Sequence, residues 1–408
     1  MIGGIIMFNM QTIGVFFGSR SPEHDVSIIT GEFIISGLKG LGFPVVPVYI
    51  GKEGEWYIAD ALASLSYFTS QKQDIATSGF ERYYLDLQQS RGKLVLRQKR
   101  MFGKSIAIDI AFPALHGSYG EDGAIQGLFE MFDVPYVGCD VSSSAIAMDK
   151  VLTKHFYQAL GIPTTKFISF TSDEWREKKN NIHKQIMELP WPVFVKPARL
   201  GSSIGIKKVK DENDLGLAIE VSLRYDTKTL VEESVENLMD VTCCIIGNEN
   251  PAASLLQESV FDSDLFDYEE KYLKKGGTQL GKAAQNIVIP ARLDEDTTRS
   301  IMNSAIKIYQ ELGCSGIARV DFLYNKKTRE WFANEINPLP GTLYHHLWEK
   351  SGVPFSELLT RLISFAKERH EARRAIIYTF ASSLLAKTGG EKLGHPPIAA
   401  VCKAENIC

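Results

Sequence analysis

Residues 316–341 read GIARVDFLYNKKTREWFANEINPLPG. Two apolar runs flank Asn325 to Arg329, a turn-like stretch of polar and charged residues, and the pattern predicts a β-hairpin. Side chains two apart on a strand share a face, so Arg319 points with Asp321 and Glu335 points with Asn337. A turn centred on Thr328 pairs Asp321 with Glu335 and Arg319 with Asn337. That register gathers two carboxylates and an amide oxygen beside a guanidinium. Hard oxygen donors of this kind suit Mg²⁺ shared with substrate phosphates. A solvated hairpin face with a surface ion pair is the plain alternative. The apolar setting argues for burial, where an acidic cluster without a cation would be costly.

Outward from this hairpin, runs rich in Val, Ile and Phe alternate with helix-period segments, which predicts an α/β architecture. The strand candidates are 13–17, 45–50, 106–111, 193–196, 204–209, 229–233, 241–246, 317–324 and 331–336. A helix is expected from Asp149 to Leu160, with Asp149 as N-cap, Gly161 at the C′ position and Pro163 blocking continuation. Another begins near Gly123, with Ile125, Leu128, Phe129 and Phe132 on one face. Turn-rich residues Asp140 to Ser144 and the segment near Glu236 mark the boundaries. They divide the chain into 1–142, 143–235, 236–367 and a tail, 368–408, to which the sequence gives no role.

The chain has 408 residues, 45 basic and 49 acidic, with 44% hydrophobic and 23% charged side chains. These values describe a globular protein of two or three domains. A net charge of −4 offers no bulk attraction to nucleic acid or to anionic lipid. The apolar start, MIGGIIMFNMQTIGVFFG, has its first charge at Arg20, so it lacks the basic opening of a signal peptide and reads as a buried strand. No apolar run reaches the ~18 residues that span a bilayer, and the expected location is the cytoplasm. Six cysteines form neither a CxxC pair nor a regular framework, as reduced packing thiols would.

Three further segments carry chemistry. In VKPARLGSSIG, residues 195–205, Lys196 ends an apolar strand and a loop of small residues follows. Gly201, Ser202 and Ser203 permit close approach of an anion, and with Lys196 they form a phosphate cradle or else a polar turn. In PALHGSYGEDG, residues 113–123, a strand gives way to a glycine loop and then a helix, leaving backbone amides for a carboxylate or phosphate. There Glu121 and Asp122 also suit a first helical turn, and a lone histidine such as His116 is by default structural. In GSRSPEHDVS, residues 18–27, Glu23 suits either an ammonium group or a helix N-terminus.

Taken in order, seven blocks resemble the D-alanine:D-alanine ligase family of the ATP-grasp superfamily: Gly18 to Ser27, Leu115 to Gly127, Ser144 to Lys154, Val195 to Gly205, Lys271 with Tyr272, Ala318 to Phe322 and Asn334 to Gly341. The resemblance spans roughly Gly14 to Leu362. It implies a three-domain ATP-grasp fold, in which an N-terminal open parallel α/β domain precedes two α+β subdomains with ATP between their sheets. It implies an ATP-dependent enzyme that joins two D-alanines through an acylphosphate for peptidoglycan synthesis, with Mg²⁺ or Mn²⁺ as metal, cytoplasmic and homodimeric. By that likeness Lys150, Lys196 and Ser203 hold ATP phosphates, Glu232 or Glu233 lies at the adenine, and Asp240 meets the ribose. Asp321, Glu335 and Asn337 match the metal ligands. Glu23, Ser202 and Tyr272 match the trio that positions the first D-alanine and closes a mobile loop around Asp267 to Pro290, where Lys271 meets phosphate. Arg319 and the Gly341 amide match the groups around the developing oxyanion, and His116 belongs to the substrate site.

Two departures fall on the acceptor side. The family carries a serine a few positions after its Pro-Gly, where this chain reads Gly341, Thr342, Leu343, Tyr344, His345, His346. By counting, His346 takes the place of that serine, as a carboxylate contact able to gain charge near a pKa of about 6.5, or else as part of a shifted helix start. The loop after Tyr272 is also long, with 18 positions to Pro290. These departures leave open another acceptor, such as D-serine, D-lactate or an unusual amine, and a nucleotide-binding relative without catalysis.

Overall fold

The computed structural model describes residues 11–70, 79–260 and 287–381. Lys271, Tyr272 and most of the expected mobile loop lie outside the described residues, as do Cys402 and Cys408. The chain divides into a main unit ending at His370 and a second unit from Glu371 onward, and all three sheets belong to the main unit.

The first of three sheets runs β6-β5-β4-β3-β2-β1-β7. It is built from β1 (Ile13–Gly18), β2 (Val45–Ile50), β3 (Trp56–Ile58), β4 (Arg82–Leu85), β5 (Leu94–Gln98), β6 (Ser105–Ile108) and β7 (Ile110–Pro113). Only β1 with β2 and β1 with β7 pair in parallel, and the remaining ladders are antiparallel. Every residue of β1 is buried, as a parallel strand covered on both faces requires. The single strand expected at 106–111 is two strands. Asp109 breaks it, since its carboxylate accepts the Thr12 N–H at 2.8 Å while its own N–H donates to the Thr12 carbonyl at 2.9 Å. The two edges of the sheet are thus successive pieces of one segment, and Ile108 folds over Gly14, where a Cβ would lie 2.6 Å from it.

The second sheet is antiparallel, β10-β9-β11-β8, formed by β8 (Phe167–Thr171), β9 (Val193–Pro197), β10 (Lys207–Val209) and β11 (Lys228–Glu233). Helices Ser172–Met187 and Glu212–Tyr225 cover it, packing Trp175, Ile186, Leu215 and Ile219 against Val193, Val195 and Val231. The expected strand 204–209 is shorter, because residues 201–206 are held as turns by Ile204 N–H to the Gly201 carbonyl and Ile206 N–H to the Ser203 carbonyl.

The third sheet is β14-β13-β12-β15-β16, with β12 (Leu238–Gly247), β13 (Ala252–Ser259), β14 (Ile287–Val288), β15 (Gly316–Asn325) and β16 (Trp331–Asn337). The helix Glu295–Glu311 buries Ile301, Ala305 and Ile308 against it. The expected helix is present as Lys150–Ala159, capped by Asp149, which accepts from the amides of Val151 and Leu152, and followed by Gly161 at φ +69°. The glycine-loop helix is Ala124–Met131. Strands β3, β4, β5, β8, β13 and β14 escape the apolar-run reading because they are short or carry polar side chains.

Candidate active site

The hairpin pairs as its sequence predicts at the site: Arg319 opposite Asn337 and Asp321 opposite Glu335. The reason is less simple than a turn centred on Thr328. Nearer the turn the register is one residue shorter, with Phe322 opposite Ala333, and a bulge at Asn334 supplies the difference. Arg319 donates from Nε to both oxygens of Asp321, at 2.9 and 3.0 Å, and from Nη2 to Oδ2 at 2.6 Å. Thr242 Oγ1 and Asn337 Nδ2 also donate to Asp321, at 2.9 and 3.2 Å. Glu335 stands between Lys150 Nζ, at 3.6 Å, and Arg319 Nη2, at 3.9 Å. Among the described residues no group of three or more His, Cys, Asp or Glu side chains is arranged to hold a metal alone. The patch offers two carboxylates and one amide, a donor set that fits a hard cation completing its shell on phosphate oxygens.

Lys150, Lys196, Ser202, Ser203, Glu232, Glu233, Asp240 and Glu335 all line one cleft of about 860 Å³ between the second and third sheets. Lys150 Nζ donates to the Leu200 carbonyl at 2.7 Å, which ties the small-residue loop to the helix Lys150–Ala159. Ser202 and Ser203 adopt left-handed backbone, at φ +55° and +59°. Arg199 anchors the loop base with a fork on Asp226, its backbone N–H adding a bond of 2.7 Å.

Of the two glutamates that the resemblance offers for the adenine, Glu232 turns its carboxylate to lysines. Its carboxylate is buried, pairing with Lys154 Nζ at 2.6 Å and with Lys196 Nζ, and accepting from Thr165 Oγ1 at 2.8 Å. Against the cost of burial, the two lysines hold its pKa well below the usual carboxylate range. Glu233 accepts from the Lys166 amide at 2.8 Å. The structure also adds Lys208, Lys210, Arg292 and Lys326 to the cleft wall. Of these, Lys208 and Lys210 were readable as a two-residue repeat near the end of a strand.

The Glu23 carboxylate is buried at the start of the helix His24–Gly40 but makes no capping bond there. It accepts instead from Ser202 Oγ. A Cβ at Gly117 or at Gly201 would lie 2.6 Å from Glu23 Oε2, so both glycines make room for that oxygen. Oε2 is buried and has no hydrogen-bond partner among the described residues. Burial, and then the Glu121 charge, raise the Glu23 pKa. Two amides of the 113–123 loop are taken by the loop's own carboxylates and are not left for an anion as expected. Glu121 accepts from the Gly117 N–H at 2.7 Å and Asp122 from the Tyr119 N–H at 2.8 Å, both ahead of the helix. His116 is buried with Nε2 2.8 Å from Thr30 Oγ1.

On the acceptor side, Gly341 is followed by Thr342, Leu343 and Tyr344 at φ +47°, +56° and +49°. Three such residues in a row cost about 1–2 kcal/mol each. The next helix starts at His345. The Thr342 N–H donates to Thr30 Oγ1 at 3.3 Å, and its own Oγ1 is buried with no partner among the described residues. His346 Nε2 lies 2.7 Å from Gln257 Oε1. The expectation of charge on His346 fails, because burial, His345 and Arg319 lower its pKa to about 4.

Two family models match the chain, "D-ala D-ala ligase N-terminus" over residues 12–139 and "D-ala D-ala ligase C-terminus" over residues 156–364. The D-alanine–D-alanine ligase of Geobacillus thermodenitrificans is 37% identical over 373 residues, covering 90% of this chain and 98% of that one. That of Thermoanaerobacter pseudethanolicus is 39% identical over 369 residues, covering 89% and 98%. Among solved structures, the D-alanine-D-alanine ligase from Coxiella burnetii superposes with a TM-score of 0.75 at 29% identity, covering 90% of this chain and 96% of that one. The VanG D-Ala:D-Ser ligase from Enterococcus faecalis gives a TM-score of 0.73 at 31% identity, covering 88% and 99%.

Proposed function

The chain belongs to the D-alanine–D-alanine ligase family, and from that premise we propose that it is an ATP-dependent ligase joining two D-alanines into D-alanyl-D-alanine for peptidoglycan synthesis. A carboxylate is a poor electrophile. The γ-phosphoryl group of ATP is therefore moved to the first D-alanine, giving ADP and an acylphosphate, and the amine of the second D-alanine attacks that carbon as phosphate leaves. Two anionic groups must meet, so the site needs positive charge and exclusion of water.

The observation that carries this reading is the hairpin register, which sets Asp321, Glu335 and Asn337 on one patch beside Lys150 at the cleft. In the proposed arrangement Lys150, Lys196 and Ser203 hold the phosphates, Glu233 lies at the adenine and Asp240 at the ribose. Asp321, Glu335 and Asn337 would hold Mg²⁺, which when bound neutralises phosphate charge. Glu23 presents its unpartnered Oε2 to the ammonium of the first D-alanine, and Ser202 fixes the carboxylate. Arg319 and the Gly341 amide face the oxyanion, and the Thr342 hydroxyl takes the second substrate's carboxylate. Lys271 and Tyr272, on the long loop, complete the phosphate and first-substrate contacts. A homodimer in the cytoplasm belongs to the same proposal. No helix among the described residues is long and apolar enough to cross a membrane.

D-serine is the second reading for the acceptor. A D-Ala:D-Ser ligase matches this chain at 31% identity, below the 37% and 39% of the two D-alanine ligases above but over a similar share of the chain. Purified protein tested with D-alanine, D-serine and D-lactate, following ADP release and product mass, separates the two. D-alanyl-D-alanine as main product supports the proposal, and ATP turnover that needs no amino acid overturns it.

A further inference from the structure

Lys154 lies at the end of the block Ser144 to Lys154, yet it is not among the residues that line the cleft, and the reaction as described gives it no task. It is 1% exposed. Its three N–H groups have three acceptors: Glu232 Oε2 at 2.6 Å, Thr165 Oγ1 at 2.6 Å and Thr164 Oγ1 at 2.9 Å. An ammonium has no fourth donor, so Lys154 has nothing left for a ligand. A buried lysine is costly unless its charge is answered. Here the answering carboxylate is Glu232, whose other oxygen contacts Lys196 Nζ, and it is Lys196 that faces the cleft.

The charges of this row decide what a phosphate meets. With Lys154 present, one carboxylate is shared between two ammonium groups and the row carries one net positive charge. Without Lys154, Glu232 would answer Lys196 alone, and the row would present no net charge to the cleft. We propose that Lys154 is a positioning residue that neutralises Glu232 from behind, leaving the charge of Lys196 available to the phosphates of ATP. The inference rests on the reading that Lys196 meets a phosphate. Thr165, donating to Glu232 at 2.8 Å and accepting from Lys154, fixes the geometry of the row.

The test measures equilibrium binding of ATP and of adenosine to the purified full chain and to Lys154→Met, Glu232→Gln, the double variant and Lys196→Met. Lys154→Met should weaken ATP at least about tenfold, a change of 1.4 kcal/mol, and leave adenosine within about threefold, since adenosine brings no phosphate. Removing the orphaned carboxylate as well, in Lys154→Met/Glu232→Gln, should return ATP affinity to within about threefold of wild type. A structural role predicts the opposite: ATP and adenosine weaken together, and the double variant is no better than Lys154→Met. Either result overturns the proposal. Should Lys154→Met fail to fold, Glu232→Gln decides alone. Binding of ATP at least as tight as wild type supports charge cancellation, and binding weaker by tenfold makes Glu232 a necessary holder of Lys196 and overturns it. Lys196→Met separates the two levels of the argument: if it binds ATP like wild type, the phosphate reading itself fails, whatever Lys154 does.

Discussion

Arg319 and Asp321, two residues apart on β15, close a fork inside the fold, with Arg319 only 4% exposed. The relation is demanding because each partner answers the other's charge in a place water scarcely reaches. Removing one side of such a pair leaves an uncompensated buried charge, at a cost of about 3–5 kcal/mol. Asp321→Asn should therefore lose stability on that scale in denaturant unfolding, and lose turnover at the same time. Full activity with a stability loss below about 1 kcal/mol would remove the fork from both roles.

Glu335 sits differently. Its side chain is 23% exposed and faces Lys150 and Arg319 at 3.6 and 3.9 Å, so it leans on the fold less than Asp321 does. Glu335→Gln keeps the shape and loses one negative charge facing the proposed cation. Activity titrated with Mg²⁺ should need about tenfold more metal, with partial rescue by excess Mg²⁺ or Mn²⁺. Unchanged metal dependence would count against the site.

For Lys196, the sequence suggests a charge facing phosphate and not the core. The structure gives it a second duty, since it is one of two cations on Glu232. Lys196→Ala should abolish nearly all ATP-dependent ligation and also cost about 1–3 kcal/mol, the usual penalty for a buried polar group that loses a partner. Wild-type turnover at saturating ATP would remove this lysine from the nucleotide site.

Local chemistry was readable in the sequence where neighbours along the chain do the work. Asp149 capping its own helix and Gly161 ending it are contacts of a few residues, and the hairpin register depends on two adjacent strands. The bulge at Asn334 was not readable, because a polar residue near a turn has no pattern that separates a bulge from a regular pair. The ion pairs of Glu232 were not readable for a similar reason. Its partners Lys154, Thr165 and Lys196 come from a helix, a connection and a strand, and only folding sets them around one carboxylate. Ser202 reaching Glu23, 179 positions away, is the same kind of contact; the family resemblance names the pair, whereas composition and periodicity do not. Asp109 splits an otherwise apolar run because it is needed at Thr12, and no periodicity records that.

Three histidines titrate against the fold. Burial lowers the pKa values of His24, His345 and His346, the last to about 4. Between pH 6.5 and about 4 the unfolded chain takes up protons that the native state refuses, so stability is retained above this window and falls as pH drops through it. His346 alone accounts for about 2 kcal/mol of that loss after allowance for its partly open side. Denaturant midpoints should fall as pH is lowered from 7 to 4.5, and His346→Gln should flatten part of the slope. An unaltered slope in His346→Gln would show that the imidazole already titrates normally.

The acceptor's carboxylate distinguishes Thr342 from His346. By counting from Gly341, His346 takes the place of the hydroxyl found in the family, yet its Nε2 is engaged with Gln257 and its charge is absent at neutral pH. Thr342 follows Gly341 directly and has a buried hydroxyl without a partner among the described residues, held there by strained left-handed backbone. A donor kept in such a place calls for a partner, and the acceptor's carboxylate is one that would accept from it, although His346 Nδ1 is buried without a partner among the described residues too. Thr342→Val preserves shape and removes the donor. It should raise the acceptor's KM about tenfold, as loss of one hydrogen bond to a charged group does, with little change in the KM for ATP. His346→Ala should disturb both KM values by less than about threefold, since the contacts it loses, to Gln257, Tyr344 and His345, are to neighbours in the fold. A large, acceptor-selective effect of His346→Ala with none from Thr342→Val would return the carboxylate to the imidazole. Equal effects on the KM values of acceptor and ATP would remove both residues from the acceptor site.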